Sequence, residues 1–264
     1  MELGASLSII SAVAIALGAT LAGCTPVDEP LGAKAEEIVS NLLQAGHERE
    51  DIEVLTDGTV LLEGDIEVDL EASRERSPSR FRQYRTTDYV TLPANSIICV
   101  DTSRFSPGLW GLRGALETAI TRWNALGLRF TLVATQTPST SNCTATITIE
   151  LENDTSRAFA TWPSGGMPGP RITIGKDNAD YLCSAREFVV ATFMHEIGHT
   201  LGLRHSNWQE RGEGTIPEGQ VHIPGTPEAA PPDLSVMNSP IAIDEPTSQF
   251  TASDREAIRH LWGA

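Results

Sequence analysis

The sequence predicts an α+β fold in which a mixed, twisted sheet packs against a helix carrying a histidine motif and against a C-terminal helix. Two observations predict it. Segments rich in β-branched residues between residues 96 and 174 alternate apolar and polar positions, as half-buried strands do. Amphipathic stretches lie between and after these segments, and two of them begin with capping signals. A smaller N-terminal segment precedes this part, and an arginine-rich stretch at residues 73–85 separates the two.

Length and charge limit what the chain can be. Its 264 residues suffice for one large domain, or for one medium domain with a smaller partner. With 40% hydrophobic and 20% charged residues, its composition is that of a soluble globular protein. The net charge of −16 excludes nucleic acid as a partner, because so acidic a chain cannot neutralise a run of phosphates. We expect a monomer.

Residues 1–23 are predicted to be a signal peptide of the lipoprotein type. The apolar run at residues 7–21 is shorter than the roughly 20 residues that a membrane-spanning helix needs, and it is typical of a signal-peptide core. It ends in Leu21-Ala-Gly-Cys24, which resembles the lipobox of bacterial lipoproteins, where the cysteine becomes the lipidated first residue. The alternative is an ordinary signal peptide with a chance cysteine, and the stretch before the apolar run departs from the pattern in having Glu2 and no Lys or Arg.

This N-terminus predicts export and attachment to the bacterial cell envelope, with membrane contact only through the lipid on Cys24. Because Thr25 follows the cysteine instead of Asp, the outer membrane is expected in a Gram-negative cell. Residues 24–32, with two prolines, are predicted to be a tether. Cleavage further along the chain would release the protein from the anchor.

Residues 33–72 are predicted to be either a pro-segment or a small accessory domain. Apolar residues at helical spacing predict a helix over 33–45, and alternation around Asp57-Gly58 predicts a hairpin within 53–70. Residues 73–85 contain five arginines together with serine and proline, which is typical of a protease-sensitive linker.

The main domain is predicted to span residues 86–264, and its elements follow from periodicity. The predicted strands are Ser96–Asp101, Arg129–Thr135, Thr144–Glu152 and Arg171–Ile174, and the predicted helices are Leu109–Leu126, a helix from Ser184 through the histidine motif, and a last helix after Thr251. Gly127 stands where a C-terminal cap is expected. Residues 207–232, rich in Gly, Pro and Glu, predict a long loop.

Three cysteines follow Cys24, at positions 99, 143 and 183. In an exported protein one pair is expected to oxidise and one thiol to stay unpaired. Spacing does not fix the pairing; we expect Cys143 to join Cys183.

The motif from His195 to His205, His-Glu-Ile-Gly-His-Thr-Leu-Gly-Leu-Arg-His, carries the chemistry. On a helix, His195 and His199 are four residues apart and point their rings to one side. Gly202 can adopt positive φ and turn the chain so that His205 arrives as a third ligand. Three protein ligands with one open position are the pattern of a catalytic Zn²⁺, and Glu196 is the candidate general base.

Other interpretations of this motif stay open at this point. A lone His-Glu-x-x-His arises by chance on many helices, and the positions of Gly202 and His205 argue against that here. A surface lipoprotein that binds peptide or zinc without turnover is a second interpretation, although Glu196 is present. A zinc hydrolase of non-peptide substrates is a third.

The extended motif resembles that of the metzincin metallopeptidases, and Ser235-Val-Met-Asn238 is similar to their methionine turn. The resemblance implies a metzincin-type catalytic domain in which Met237 forms a hydrophobic floor beneath the ligands. Ser206 follows the third histidine as in matrixins, and no tyrosine stands just after Met237, so no additional tyrosine ligand is expected.

Closer still, several segments together resemble the bacterial dual-action HEIGH metallopeptidases over roughly residues 35–264. The segments are His195–Thr200, His222–Pro227, Ser235–Asn238, Leu62–Ile66 and Ala119–Asn124. The resemblance implies a zinc-dependent endopeptidase that hydrolyses peptide bonds in extracellular or cell-surface proteins.

Glu63-Gly-Asp-Ile66 resembles the astacin pro-segment, in which an Asp occupies the open zinc position. The resemblance implies that Asp65 is a latency ligand and that the protein is made as a zymogen; the alternative is a Gly-Asp turn facing solvent. His222 is expected to be a solvent-facing loop residue and not a metal ligand. The strand Arg171–Ile174 is expected to offer a sheet edge to an extended substrate.

Overall fold

The computed structural model describes residues 32–74, 84–86, 88–105, 109–153, 157–175, 186–208, 221–226, 235–239 and 248–264. Backbone contacts divide the chain into residues 1–30 and 31–264, and every element below belongs to the second unit. The predicted signal peptide, Cys24 and nearly all of the tether therefore lie outside the described residues, as do residues 75–83 of the linker. None of the helices in the described ranges has the length and apolar character needed to cross a membrane.

An eight-stranded mixed sheet organises the described part of the chain. Its strands are β1 (Ile52–Val54), β2 (Val60–Leu62), β3 (Ile66–Glu67), β5 (Ser96–Asp101), β6 (Phe130–Thr135), β7 (Ala145–Glu152), β8 (Ala158–Thr161) and β9 (Arg171–Gly175). Across the sheet they follow the order β1-β2-β3-β8-β9-β7-β5-β6. A separate pair joins β4 (Tyr84–Arg85) to β10 (Val221–His222). The helices are α1 (Ala33–Gln44), α2 (Leu70–Arg74), α3 (Trp110–Asn124), α4 (Arg186–Leu201) and α5 (Ala252–Trp262), with a 3-10 turn at Arg49–Asp51.

The centre of the sheet is parallel because helices or long connections separate its strands. β5 pairs in parallel with both β6 and β7, and β7 pairs in parallel with β9. β8 runs antiparallel to β9, and the β1-β2-β3 meander is antiparallel within itself. The predicted α+β class with a mixed sheet is thus confirmed, and β5 begins and ends where the sequence predicts.

The main core lies between the sheet and helices α3, α4 and α5. Trp123 and Trp262 are fully buried there, and their ring centroids lie 6.4 Å apart. Each indole N–H has an acceptor: Trp123 donates to Met194 O at 3.2 Å, and Trp262 donates to Val90 O at 2.8 Å. These bonds let large aromatic surfaces be buried without leaving a polar atom unsatisfied.

The N-terminal segment has a small apolar cluster of its own and also extends the main sheet. Buried residues of α1, β1, β2 and β3, with one residue just after β3, form this cluster: Ala35, Ile38, Leu42, Ile52, Val60, Leu62, Ile66 and Val68. Trp162, from the main domain, packs against it. β3 pairs with β8 in parallel, with Ile66 opposite Ala160 and Glu67 opposite Thr161. The predicted hairpin is present as β1 and β2.

Two expectations about the sheet of the main domain are wrong. Cys99, not Cys183, is the disulfide partner of Cys143, with Cα atoms 5.6 Å apart. The reason is that β5 and β7 are adjacent strands: Thr144 N donates to Ile97 O at 2.7 Å, which brings Cys143 beside β5. Cys183 lies outside the described residues.

The strand β9 does not offer a sheet edge, because β7 and β8 cover it on both sides. The strand at the border of the main domain is β8, which is not among the predicted strands, and β3 pairs with it. Two short strands were not predicted either. β4 lies at the end of residues 73–85, which were predicted to be a linker, and β10 lies within residues 207–232, which were predicted to be a loop.

Candidate metal centre

Helix α4 brings the first two histidines together. His195 and His199 are one helical turn apart on its buried face, with 2% and 1% of their surface exposed. Their ring centroids lie 4.5 Å apart. Most of the helix is buried on several sides, which fixes the direction of both rings.

Gly202 ends the helix and returns the chain toward its own last turn. Its φ is +109°, a value that favours glycine, and a Cβ there would lie 2.9 Å from the Cβ of Tyr89. The turn carries His205 back to the other two rings, at centroid distances of 5.2 Å from His195 and 4.9 Å from His199. The role predicted for this glycine therefore has a geometric basis.

Backbone carbonyls orient two of the imidazoles. His195 Nδ1 lies 2.8 Å from Val236 O, and His199 Nδ1 lies 2.8 Å from Leu203 O. A carbonyl can only accept, so each Nδ1 carries the proton and each Nε2 presents a lone pair. The two Nε2 atoms are 2.9 Å apart. Two lone pairs at that distance repel each other unless a cation lies between them.

Asp65 completes the group from the N-terminal segment. Its Oδ2 lies 3.0 Å from His205 Nε2 and 3.5 Å from His195 Nε2, and its Oδ1 lies 3.7 Å from His199 Nε2. One ligand atom from each of the four residues falls within 4.8 Å of the others. Burial favours a higher pKa for Asp65, but the three histidines outweigh it and hold that pKa well below its usual value.

The donor set fits a divalent metal such as zinc. Three imidazoles and one carboxylate are a common zinc coordination set, and zinc accepts tetrahedral geometry. Burial lowers the pKa of His199 well below its usual value, with His195 adding to the effect, so His199 is a neutral ring that can ligate. Asp65 Oδ1 is buried and accepts no hydrogen bond from the described residues. An acceptor of that kind is satisfied when it binds a cation.

Glu196 is buried directly beside the histidines, with 2% of its surface exposed. Burial raises its pKa well above the usual value, the charge of Asp65 raises it further, and His205 opposes both. Its Oε2 accepts no hydrogen bond from the described residues. This carboxylate is therefore positioned to take and release a proton at the site.

Met237 packs against α4 at Gly198, between His195 and His199. It is 3% exposed, and a Cβ added to Gly198 would lie 2.4 Å from its Sδ. Gly198 was not singled out from the sequence, although a glycine in the middle of a helix is the available signal. The turn is held by Asp254 of α5, which accepts from Ser235 Oγ at 2.6 Å and from Val236 N at 3.2 Å.

A buried ion pair flanks the site on the side of His205. Arg204 pairs with Glu63, and both side chains are almost fully buried. Glu63 Oε2 also lies 3.8 Å from His205 Nδ1. Glu63 has a positive φ of 57°, and Gly64 follows at 93°, so a tight turn delivers Glu63 and Asp65 to the same region. Neither member of this pair has a role that the sequence predicts.

The remaining predicted residues lie apart from the metal group or outside the described part. His222 belongs to strand β10 and is half-buried, with its Nε2 2.9 Å from Thr226 Oγ1, so the expected solvent-facing loop position is wrong. Cys24 lies outside the described residues. Ser184, where the histidine-bearing helix is predicted to begin, also lies outside them, while the last helix begins after Thr251 as predicted and has a capping box there.

Comparison with known proteins gives one family and two similar structures. The family model for the dual-action HEIGH metallo-peptidases matches residues 60–262. Two solved structures of myroilysin are similar. The first has a TM-score of 0.44 and 13% identity, covering 69% of this chain and 98% of that chain; the second has a TM-score of 0.43 and 10% identity, covering 82% and 96%. No curated protein matches the chain.

Proposed function

The chain belongs to the dual-action HEIGH metallo-peptidase family, and from this we propose that it is made as a latent zinc endopeptidase whose N-terminal segment closes its own cleft. Membership in a metallo-peptidase family decides against a zinc hydrolase of non-peptide substrates and against a protein that only binds. The chain is a metalloendopeptidase, and its substrates are proteins or peptides.

The observation that carries the proposal is the position of Asp65 among the three histidines. A carboxylate there takes the coordination position that water needs for hydrolysis. The backbone around it also covers the sheet edge, because Ala160 N donates to Asp65 O at 2.9 Å and Trp162 N donates to Glu67 O at 2.8 Å. An extended substrate would need those same two N–H groups. The segment therefore competes for the metal position and for the peptide-binding edge at once.

Three kinds of contact support a docked N-terminal segment. Glu63 pairs with Arg204, and Glu67 accepts from Thr161 Oγ1 at 2.9 Å. The apolar cluster of the segment packs on Trp162. Burying apolar surface contributes about 25 cal/mol per Å² to the free energy of docking. This contact therefore stabilises the position of the segment over the cleft.

Hydrolysis follows from the residues that remain once the segment has left. A bound zinc supplies Lewis acidity toward water and toward the scissile carbonyl. Glu196 takes the proton of the attacking water and delivers it to the leaving amine nitrogen. Departure of Asp65 removes one cause of the raised pKa of Glu196, so a larger fraction of this carboxyl group is ionised and able to accept a proton. Val236 O and Leu203 O keep the histidine rings in place.

The cellular setting is proposed from the sequence. The lipobox-like Leu21-Ala-Gly-Cys24 and the apolar run before it support export and a lipid anchor at the cell envelope. Cleavage within the arginine-rich residues 73–85 would free the catalytic domain from both the anchor and the inhibitory segment. Extracellular and cell-surface proteins would then be its substrates.

The test is casein cleavage by the zinc-loaded full-length chain, before and after limited trypsin treatment, with trypsin then inhibited. We expect little cleavage before treatment, strong cleavage after it, and none with a metal chelator. In the untreated chain, Asp65→Ala should raise cleavage by about tenfold or more, equivalent to at least ~1.4 kcal/mol.

Asp57→Ala is the matched control, since Asp57 is an exposed turn residue of the same segment that accepts from Thr59. It should leave the untreated chain latent. The latency proposal is wrong if Asp65→Ala is no more active than the wild type. The endopeptidase proposal is wrong if trypsin-treated, zinc-loaded protein leaves casein intact.

A further inference from the structure

Arg171 and Thr161 form a carboxylate-binding site beside the cleft, and Glu67 of the N-terminal segment occupies it. Arg171 Nε lies 3.1 Å from Glu67 Oε2, and Arg171 Nη2 contacts Oε1. Thr161 Oγ1 donates to Oε2 at 2.9 Å. One edge of the guanidinium thus meets both oxygens, which is the two-point geometry in which arginine holds a carboxylate most firmly. Glu67 is only 8% exposed in this position.

The backbone of the sheet fixes where this site lies. Glu67 is opposite Thr161 in the β3–β8 register. On β9, the next strand of the sheet, Arg171 directly precedes Ile172, which pairs with Ala160 of β8. Ala160 belongs to the main core, so the alternation along β8 puts Thr161 on the opposite face. Any strand that adds to the edge of β8 in place of β3 presents one side chain over Thr161 and Arg171.

Arg171 and Thr161 would still be able to bind a carboxylate after Glu67 has left. Arg171 has a second acidic neighbour, Glu150, but that carboxylate lies 3.6 Å from Nη1 and not on the Nε–Nη2 edge that holds Glu67. The edge and the Thr161 hydroxyl would therefore be available to another carboxylate. The side chain of Arg171 is 37% exposed even with Glu67 bound, so it can be reached from solvent.

We propose that Arg171, with Thr161, is a specificity-determining residue that binds an acidic side chain of the peptide substrate; the inference rests on the proposed endopeptidase function. Glu67 is two residues from Asp65, whose carboxylate lies at the metal group. Two residues of extended chain span roughly 6.6 Å. The acidic side chain is therefore recognised within two or three residues of the scissile bond, on the side where the substrate pairs with β8.

The experiment uses full-length, zinc-loaded protein that has been activated by trypsin and freed of trypsin activity with a serine-protease inhibitor. Peptides lacking Lys and Arg carry Glu or Gln at each position from three before to three after the scissile bond. We expect one position at which kcat/KM is about tenfold higher for Glu than for Gln, the difference expected from a charge-assisted, two-point hydrogen bond. Raising the salt concentration should reduce this ratio, because the site is partly exposed.

Arg171→Gln should abolish the preference at that position while casein is still cleaved. Arg113→Gln is the matched control, since Arg113 is on α3 and pairs with Glu117 away from the cleft; it should keep the preference. The inference is overturned if active wild-type enzyme prefers Glu at no position, or if Arg171→Gln keeps the preference. Failure to cleave casein at all overturns the proposed function itself, and this inference with it.

Discussion

Glu196 is the residue on which turnover depends most directly. It is buried against the histidines, but it is not among the four residues whose ligand atoms lie close enough together to hold one metal ion. Replacing it with the isosteric amide removes the proton acceptor and leaves the ligand geometry in place.

Glu196→Gln should therefore lower kcat/KM of the activated enzyme by about 100-fold or more, within the range of general base contributions. Zinc content, measured by elemental analysis, should stay at the wild-type level. Near-normal turnover by this variant would rule out Glu196 as the base, and loss of zinc would make it a ligand.

Gly198 shows how a residue between two ligands can be fixed by packing alone. A Cβ there would meet Met237 Sδ at 2.4 Å, so either the methionine or the helix must shift. We expect Gly198→Ala to destabilise the protein by about 1–3 kcal/mol, as overpacked cores do. Chemical denaturation of the zinc-loaded full-length protein measures this.

Gly114→Ala on α3 is the control for that measurement, because nothing lies within 4 Å of a Cβ added there. It should stabilise the protein by about 0.5–1 kcal/mol, since alanine favours the helix. Equal effects of the two substitutions would mean that contact with Met237 does not constrain α4.

At the level of elements, local patterns predicted what local physics determines. The limits of β5, the helix at α3 with its glycine stop, and the capped helix α5 follow from periodicity and capping, which act over a few residues. The strand β8 was not predicted because four residues are too few to show a clear alternation of apolar and polar positions. The disulfide was not predicted because it depends on the strand order. That order brings Cys143 beside Cys99, and packing across the whole sheet determines it.

The same distinction applies to the site. The three histidines and Glu196 could be predicted because one helix and one turn place them. The resemblance pointed to Asp65, but nothing in the spacing could show that β3 pairs with β8 and carries it there. Glu63 and Arg204 are 141 positions apart in the sequence, so their buried ion pair could not be predicted for the same reason.

Helix α5 and the methionine turn are coupled through Asp254. Its carboxylate completes the helix cap by accepting from Thr251 N at 2.9 Å and also holds Ser235 and Val236. Because Val236 O orients His195, loss of this carboxylate should weaken both the helix and the metal site.

Asp254→Ala should therefore cost about 1–3 kcal/mol of stability and increase the zinc dissociation constant. A competitive chelator titration measures the second effect. Asp101→Ala is the control, since Asp101, at the end of β5, accepts only from Ser103 N among the side-chain contacts described; it should change neither. Wild-type zinc affinity in Asp254→Ala would disprove the coupling.

For the molecule as a whole, docking of the N-terminal segment should depend on pH through His47. This ring stacks edge-on against Trp162, and burial, with Arg204 second, lowers its pKa to about 3. The folded value lies below the unfolded one, so the contribution to docking is present above about pH 6.5 and is lost as the pH falls.

After cleavage in the linker, the segment should therefore separate more readily at about pH 5 than at about pH 7.5, as size-exclusion chromatography can measure. His47→Gln should reduce this pH dependence, whereas replacement of His260, an exposed residue of α5, should not. Equal retention of the wild-type segment at both values would contradict the role of His47.

The central claim is that Asp65 occupies the catalytic metal position in the full-length chain. Cobalt substitution tests it most directly, because the visible spectrum of Co²⁺ responds to its ligands and a small hydroxamate needs the same coordination position. In the untreated wild type, the spectrum should not change when hydroxamate is added. It should change in Asp65→Ala and in the wild type after linker cleavage. A hydroxamate-dependent spectrum in the untreated wild-type chain, equal to that of Asp65→Ala, would contradict the account.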